Sequence, residues 1–309
     1  MSEQFQHSPT AMENCNTYWW STLLYVNNFY PPSNKNSCFA IAWYLANDFQ
    51  FYAISPFIIM AMMAIHRSNR WLKAILYNFI FVLGLCVMSM VVTGVITGVW
   101  DIPILLTASV LPNNPRLKNA VHVMDKLYTK PYTRITPYLV GLFLGYLFNK
   151  GVSLKGKQNR TTISVLGWMV ATVAGVLVVY GPYSVFKQSG HFFTFGENVM
   201  YSATHRFVWA CAVAWVIFAC HNKYGGYVDK FLSWKVWSPL SRLTYGGYLL
   251  HMMVLQYYTR VEEVPYHYQD STAVQGYMSI VVTTYLLAFC LSVLVEYPVM
   301  NLEKLLFRQ

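Results

Sequence analysis

Seven strongly apolar stretches divide this chain, and they restrict its fold more than any other feature. A transmembrane helix needs about 20 mostly apolar residues to cross roughly 30 Å of hydrocarbon. Backbone groups in lipid must be hydrogen-bonded within the protein, so each stretch is predicted to be helical. The pattern predicts an all-α fold, a polytopic bundle of about seven transmembrane spans. The candidate spans are residues 41–65, 74–98, 134–149, 162–180, 204–221, 243–259 and 274–297.

Composition excludes a soluble globule of this length. Of the 309 residues, 56% are hydrophobic and only 11% are charged, whereas soluble domains carry about 25% charged residues. The third candidate span is short, because 134–149 would extend only about 24 Å at the rise of an α-helix. We expect it to begin a little earlier or to lie in a locally thinned, protein-lined region.

Basic residues are concentrated in alternate loops, and this predicts the orientation. The loops after the first, third and fifth spans are rich in lysine and arginine, so we expect them to be cytoplasmic. Loops 181–203 and 260–273 are poor in basic residues and are predicted to lie outside with the N-terminus, which leaves the C-terminus cytoplasmic. Loop 99–133 is a partial exception to this pattern, because the alternation places it outside although it contains four basic residues. The formal net charge of +10 is then mainly a topology signal, and no nucleic-acid partner is expected.

This topology divides the chain into an extracellular N-terminal segment, residues 1–40, and a membrane domain, residues 41–309. Cys15 and Cys38 fall in the external segment, where a disulfide can form, but the sequence is equally consistent with two free cysteines. The first ten residues lack the apolar stretch of a signal peptide. We therefore expect further sequence upstream, in a multi-pass protein of the plasma membrane or an endomembrane.

Polar residues form a stripe inside the first span. Tyr44, Asp48, Tyr52 and Ser55 recur at offsets of four, four and three, which places them on one helical face. We expect this face to point into the bundle. Asp48 would then lie roughly 10 Å from the outer end of the span, with Gln50 on a neighbouring face.

Cations at the predicted outer ends of two other spans extend this polar set. Arg134 starts the third span, and His205 with Arg206 starts the fifth. Together with Asp48 and Gln50 they predict an outer pocket that binds substrate. Interfacial snorkelling of the arginines and ion pairing of Asp48 explain the same residues without a function. The sequence leaves both interpretations open.

The sixth span contains the best candidate for acid–base catalysis. Thr244, Tyr248 and His251 share one face, and His251 lies near mid-bilayer by residue count. An imidazole can take a proton from a hydroxyl nucleophile and later return it, although a lone histidine is more often a packing residue. At the cytoplasmic side, Glu296 of the last span is predicted to form a structural ion pair with Arg242.

Two small-xxx-small spacings predict close helix packing. They are Gly94 with Gly98 and Gly141 with Gly145. The sequence contains no phosphate-binding glycine-rich loop, no HExxH zinc motif and no GxSxG nucleophile motif. We therefore expect neither a metal nor a bound cofactor.

Several runs of distinctive residues extend over nearly the whole chain after residue 12. They are Cys15–Phe29, Cys38–Tyr52, Lys130–Arg134, Pro137–Gly141, Arg206 with Trp209, Ser241–His251, Glu296–Pro298 and Leu302 with Glu303. In order and spacing these runs resemble the nose resistant to fluoxetine family of the acyltransferase 3 superfamily.

The resemblance implies a protein that transfers acyl groups, other than amino-acyl groups, to a lipid or another small-molecule hydroxyl acceptor. An acyl thioester such as acyl-CoA would be the donor. It implies that His251, or an early histidine typical of the family, activates the acceptor, and that the arginines stabilise charge. Tyr245 and Tyr248 are expected to contact substrate. The residues at matching family positions are Asp48, Gln50, Arg134, Arg206, Tyr245, His251 and Glu296.

Family members usually begin with an extracellular domain and further helices that carry an Arg and His motif. This sequence contains neither, so we expect it to correspond to the C-terminal part of a longer architecture. Two alternatives remain beside an enzyme. One is a non-enzymatic lipid or small-molecule transporter whose path is lined by the Asp48 stripe. The other is an inactive truncated paralogue that associates with a full-length family member.

Overall fold

The structure, a computed structural model, describes residues 10–33, 36–68, 70–104, 116–120, 122–153, 160–186, 193–261 and 269–307. In this part of the chain the elements are helical, and no strand is formed. The α-helices are α1 (Thr10–Leu23), α2 (Trp43–Ser68), α3 (Trp71–Val99), α4 (Ile135–Asn149), α5 (Arg160–Tyr180), α6 (Tyr183–Phe186), α7 (Phe195–His221), α8 (Gly226–Leu232), α9 (Trp237–Val261), α10 (Asp270–Leu291) and α11 (Tyr297–Leu306). The prediction of an all-α fold is confirmed.

Five of the described helical segments are long and apolar enough to cross a membrane. They are Ala40–Arg67, Trp71–Val99, Arg160–Tyr180, Phe195–His221 and Asp270–Leu306. Each overlaps a predicted span. The other two predicted spans differ from these: α4 is apolar but has only 15 residues, and α9 has 25 residues but is less apolar. The total of seven spans and the orientation of the termini therefore stay predictions.

The helix α7 begins nine residues before the predicted start of the fifth span. Thr194 caps it, because the Thr194 hydroxyl accepts a hydrogen bond from the backbone N–H of Glu197 and the Glu197 carboxylate accepts one from the backbone N–H of Thr194. This reciprocal capping box fixes the N-terminus of a helix. His205 and Arg206 therefore lie about 15 Å along α7. The prediction that they begin a span is wrong.

The helix α3 turns a buried stripe of small and polar side chains towards its neighbours. Thr97 Oγ1 lies 3.0 Å from Ser202 Oγ of α7, and Thr136 of α4 donates to Ser89 Oγ at 3.0 Å. Such hydroxyl contacts help to hold helices together in membrane proteins. In lipid the hydrophobic effect does not drive helices to associate. The buried stripe comprises Asn78, Val82, Cys86, Ser89, Thr93, Gly94 and Thr97.

Of the two glycine motifs, one packs as predicted. A Cβ atom at Gly94 would lie 3.5 Å from Val199 Cγ1, and one at Gly98 would lie 3.4 Å from Phe195 Cζ, so both glycines contact α7. A Cβ atom at Gly141 or at Gly145 would meet no atom of the described neighbours within 4 Å. The packing interpretation is confirmed for the first motif and is wrong for the second.

The chain forms two compact units. The first extends to Gly226 and contains α1 to α7, and the second begins at Tyr227. In the second unit α9 packs against α10, where a Cβ atom at Gly246 would lie 3.4 Å from Ala288 Cβ. A π-helical turn, Ser292–Glu296, joins α10 to α11.

Candidate functional site

The connection before α4 is irregular, and side chains of three helices satisfy its backbone. A π turn, Val123–Tyr128, is followed by a 3₁₀ turn, Pro131–Thr133. Each carbonyl from 127 to 133 accepts a hydrogen bond. The donors are Thr133 Oγ1 to Leu127 and Lys130, Arg134 Nε to Tyr128, Asn47 Nδ2 to Thr129, Arg134 N to Pro131, Ser89 Oγ to Tyr132 and Arg206 Nη1 to Thr133. Irregular backbone among membrane helices is tolerated only when it is satisfied in this way.

Arg134 occupies the N-terminal boundary of α4 and is held between aromatic rings. Its guanidinium carbon lies 4.3 Å from the ring centroid of Tyr128 and 5.1 Å from that of Trp43. Its Nε donates to the Tyr128 carbonyl at 2.9 Å. Cation–π contacts of this kind stabilise a guanidinium without neutralising its charge.

Arg206 approaches the same connection from α7. Its Nη1 donates to the Thr133 carbonyl at 3.1 Å, beside Arg134 in the sequence. The neighbouring His205 stacks on Tyr201 with ring centroids 5.0 Å apart, and its Nδ1 lies 2.8 Å from the Tyr201 carbonyl oxygen. A carbonyl oxygen can only accept, so Nδ1 carries the proton. Arg206 of the predicted pair therefore meets the residue before Arg134, whereas the contacts shown for His205 are with Tyr201 of its own helix.

Lys130 is a third cation of this connection, and the sequence patterns did not predict it as a site residue. Its ammonium donates to the Asn28 carbonyl and lies 5.3 Å from the ring centroid of Phe29. Only 8% of Lys130 is exposed. Burial lowers its pKa from the ordinary 10.5, and Asp125 partly opposes this. Its place at the start of the Lys130–Arg134 run was the available signal.

We call Lys130, Arg134 and Arg206 the cation cluster. The hydrogen-bond partners shown for them are carbonyl oxygens, aromatic rings lie beside Lys130 and Arg134, and Asp125 acts electrostatically on Lys130. Such a cluster favours an anionic group or a carbonyl oxygen on which negative charge develops.

Next to the cation cluster, Asn28, Asn47 and Gln50 form a network of amide hydrogen bonds. Asn28 Nδ2 donates to Asn47 Oδ1 at 2.7 Å and to Gln50 Oε1 at 3.0 Å. Gln50 Nε2 donates to Asn28 Oδ1 at 2.9 Å and to the Tyr25 carbonyl at 2.8 Å. Gln50 was predicted to belong to a polar cluster, whereas Asn28 and Asn47 were missed. Asn47 lies four positions before Phe51 and therefore on the same helical face. Because Phe51 is an apolar residue that is buried, this spacing was a usable signal for Asn47.

The Asp48 stripe does not point inwards. Tyr44 and Tyr52 are 51% and 72% exposed, and Asp48 is also exposed. Only Ser55 of the predicted stripe is buried. The physical reason is that the inward position is taken by Asn47, whose amide is satisfied on both its donor and acceptor sides. A carboxylate there would cost more to desolvate.

In the second unit, His251 of α9 has one nitrogen committed to the helix. Its Nδ1 lies 2.5 Å from the Tyr248 carbonyl oxygen, and the rings of the two residues are 5.6 Å apart. Nδ1 therefore carries the proton, and in the neutral imidazole Nε2 is left as the basic nitrogen. Thr244 on the same face donates to the Leu240 carbonyl at 3.1 Å. Tyr245, which is 57% exposed, lines a separate cavity.

The predicted ion pair between Arg242 and Glu296 is wrong. Within the described residues the only ion pair is Arg116 with Asp101, at 2.6 Å. Glu296 Oε2 instead accepts a hydrogen bond from Ser292 at 2.7 Å. The reason is local, since the π turn places Ser292 and Glu296 in contact across one turn.

Cys15 and Cys38 form a disulfide, which closes α1 against the segment before α2. Of the two interpretations that the sequence left open, the structure contains the bonded one. Cys86, Cys211 and Cys290 form no disulfide.

The family model described as an acyltransferase domain matches residues 5–297. The chain belongs to the acyltransferase 3 family. This acyltransferase 3 chain is 30% identical over 307 residues to nose resistant to fluoxetine protein 6 of Caenorhabditis elegans, which covers 97% of the chain and 36% of that protein.

A second relative of the acyltransferase 3 chain is more distant. This relative is regulator of hypoxia-inducible factor 1 of Caenorhabditis elegans. The chain is 23% identical to it over 258 residues, which cover 81% of the chain and 47% of that protein. The chain thus spans less than half the length of each of these relatives. No solved structure matches it.

The runs that carry the family resemblance converge in the folded chain. Cys15–Phe29 and Cys38–Tyr52 meet through the disulfide and the Asn28 network. Lys130–Arg134 joins them through the hydrogen bond from the Lys130 ammonium to the Asn28 carbonyl. In the acyltransferase 3 chain these distant runs therefore build one polar region in the first unit. In the second unit, Arg242, Tyr245 and Glu296, which belong to two of these runs, line one cavity.

Proposed function

We propose that this chain is the membrane part of an acyltransferase, which moves an acyl group other than an amino-acyl group onto a lipid or another hydroxyl acceptor. The observation that carries the proposal is the family match over residues 5–297. The apolar helices support it, because they place any such chemistry in a bilayer. The donor would be an acyl thioester such as acyl-CoA, used as a substrate and not as a resident cofactor.

The cation cluster would interact with the anionic part of a substrate. Its charge is held by carbonyls and rings in the interior of the first unit. Cations at low dielectric stabilise negative charge more strongly than they would in water. They would therefore suit the phosphates of an acyl-CoA.

His251 would act as the general base of this reaction. Its Nε2 would take the proton of the acceptor hydroxyl as that oxygen attacks the thioester carbonyl. The carbon–sulfur bond then breaks, and the imidazolium returns the proton to the departing thiolate. The early histidine of the family motif is the rival base. The orientation of the imidazole by the Tyr248 carbonyl supports His251.

The test is acyl transfer in reconstituted membranes from a labelled acyl-CoA to added lipid and sterol acceptors. Wild type should form acylated product. His251→Ala should lower turnover by about 10²-fold to 10⁴-fold, whereas the control His221→Ala, at the exposed end of α7, should keep it. Equal turnover by wild type and His251→Ala would remove His251 as the base. Absence of any acylated product would contradict the enzymatic function.

Transport of a lipid or small molecule is the alternative function. It depended on the Asp48 stripe lining a path, and the structure leaves Tyr44, Asp48 and Tyr52 exposed. Saturable uptake without an acylated product would favour it. A third function, regulation of a full-length family member, predicts that such a protein co-purifies with the chain.

We also infer that the N-terminus lies outside the cell or in the lumen of an endomembrane, and that the C-terminus is cytoplasmic. The disulfide between Cys15 and Cys38 supports this orientation, because disulfides persist in oxidising compartments. The distribution of basic residues among the loops supports the same orientation independently.

A further inference from the structure

The second unit contains a cavity in which charged and apolar side chains meet. Its volume is about 220 Å³. The α9 side contributes Arg242 and Tyr245, and the end of α10 with its π turn contributes Ser292 and Glu296. The apolar part of the lining comprises Leu243, Leu249, Ala288, Leu291 and Val295.

Opposite charges line this cavity without neutralising each other. Arg242 and Glu296 are both exposed to it, and no ion pair joins them in the described structure. Glu296 uses Oε2 to accept the hydrogen bond from Ser292. A guanidinium and a carboxylate that share a cavity but stay apart provide one site for an anion and one for a cation.

The backbone at this cavity is also unusual. Ser292–Glu296 is a π-helical turn inside a continuous helical stretch, and such turns occur frequently at functional sites. Glu296 and Arg242 belong to separate parts of the sequence, and the packing of α9 on α10 brings them to one cavity.

We propose that this cavity binds a glycerophospholipid whose headgroup carries both a phosphate and a primary ammonium. Arg242 binds the phosphate, since a guanidinium matches phosphate oxygens with paired donors. Glu296 accepts hydrogen bonds from the ammonium. The acyl chains lie along Leu249, Leu291 and Val295, of which Val295 is 52% exposed. The site does not include His251, and its test does not require acyl transfer.

The two charges explain why other lipids would bind less well. A headgroup without an ammonium leaves the Glu296 carboxylate without a partner beside a phosphate, which is unfavourable. A quaternary ammonium keeps the charge but has no N–H group to donate to the carboxylate. The cavity should therefore select phosphatidylethanolamine over phosphatidylglycerol and phosphatidylcholine.

Native mass spectrometry of the purified, delipidated full chain tests the selection. Phosphatidylethanolamine should bind at least about tenfold more tightly than phosphatidylcholine or phosphatidylglycerol, as expected for one charge-assisted hydrogen bond. Water-soluble glycerophosphoethanolamine should bind more weakly than the lipid. Equal binding of the three lipids, tighter binding of phosphatidylglycerol, or equal binding of the soluble analogue would overturn the proposal.

Matched variants locate the selection in the cavity. Glu296→Gln and Arg242→Gln should each lose at least about tenfold in affinity for phosphatidylethanolamine. Glu303→Gln and Lys235→Gln, which change exposed charges outside the cavity, should retain the wild-type affinity. An equal loss in both pairs of variants would refute the assignment. If a cavity variant does not fold, the lipid selectivity of wild type alone still decides the proposal.

Discussion

Asn47 and Asp48 are neighbours in α2 with opposite environments. Asn47 is 2% exposed and hydrogen-bonds to Asn28 and to the Thr129 carbonyl, whereas Asp48 is exposed. Successive residues of a helix point about 100° apart, so a small rotation decides which of the two is buried. An amide suits the buried position, because it can donate and accept hydrogen bonds at the same time without carrying a charge.

Replacement of these neighbours by alanine should separate their roles. Asn47→Ala should lower the free energy of unfolding by about 1 to 3 kcal/mol, because it removes partners of two buried groups. Asp48→Ala should change it by less than about 0.5 kcal/mol. Thermal unfolding in detergent measures both. An equal loss of stability in Asp48→Ala would show that its carboxylate has a structural partner.

Gly167 of α5 is a residue whose missing side chain is required by a neighbour. A Cβ atom there would lie 2.0 Å from Cζ2 of Trp215, far inside contact distance. Gly167→Ala should therefore destabilise the protein by about 1 to 3 kcal/mol through overpacking. In Gly141→Ala the new methyl group enters open space, and the helix should gain up to about 1 kcal/mol. The unfolding midpoints of the two variants should move in opposite directions, and a shift in the same direction would contradict the close packing of Trp215 on α5.

At the scale of elements, the connection before α4 explains how a helix of 15 residues fits among longer ones. The third span was expected to start earlier or to lie in a protein-lined region, and α4 is in fact preceded by the 3₁₀ turn Pro131–Thr133. The carbonyls of this connection accept hydrogen bonds from α2, α3 and α7. The connection therefore links three helices that differ widely in sequence position.

Thr133→Val tests how much this connection depends on one hydroxyl. Thr133 Oγ1 donates to the carbonyls of Leu127 and Lys130 at 2.6 and 2.9 Å. The isosteric change leaves both acceptors without that donor and should cost about 1 to 3 kcal/mol in unfolding free energy. Thr204→Val is the matched control, because Thr204 donates to the Met200 carbonyl within its own helix. Similar unfolding midpoints for the two variants would show that the Thr133 hydroxyl is dispensable.

At the scale of the whole molecule, the disulfide ties the N-terminal segment to the start of α2. Cys15 and Cys38 are separated by 23 positions, and closing a loop of this size stabilises a protein by about 3 kcal/mol in the chain-entropy model. Cys15→Ser should lower the unfolding free energy by about that amount. A reducing agent should lower the stability of wild type and leave that of Cys15→Ser unchanged. If the reducing agent also destabilised Cys15→Ser, the stabilisation would not come from this disulfide.

Orientation is a second property of the whole molecule that can be tested. The sequence has a glycosylation sequon at Asn159-Arg160-Thr161, in a loop predicted to be cytoplasmic, so wild type should carry no glycan there. A sequon introduced into loop 181–203 should be glycosylated. Endoglycosidase treatment followed by electrophoresis distinguishes the two. A glycan on Asn159 would reverse the proposed topology.

The sequence by itself determined the helical class, the positions of the apolar segments and the family. Hydropathy is summed over about 20 residues, so it does not depend on which neighbours a helix meets. The start of α7 was missed although Thr194 and Glu197 have the capping-box spacing, which the sequence displays. The family runs were recognisable because their order along the chain is independent of their contacts.

Only the tertiary structure decided which polar groups meet. The burial of Asn47 instead of Asp48, the entry of Lys130 into the cation cluster and the separation of Arg242 from Glu296 depend on how each helix is rotated against its neighbours. Spacing places residues on a common face, but it does not say which face is turned inwards. That choice follows from the cost of burying each polar group and from the partners that other segments bring to it.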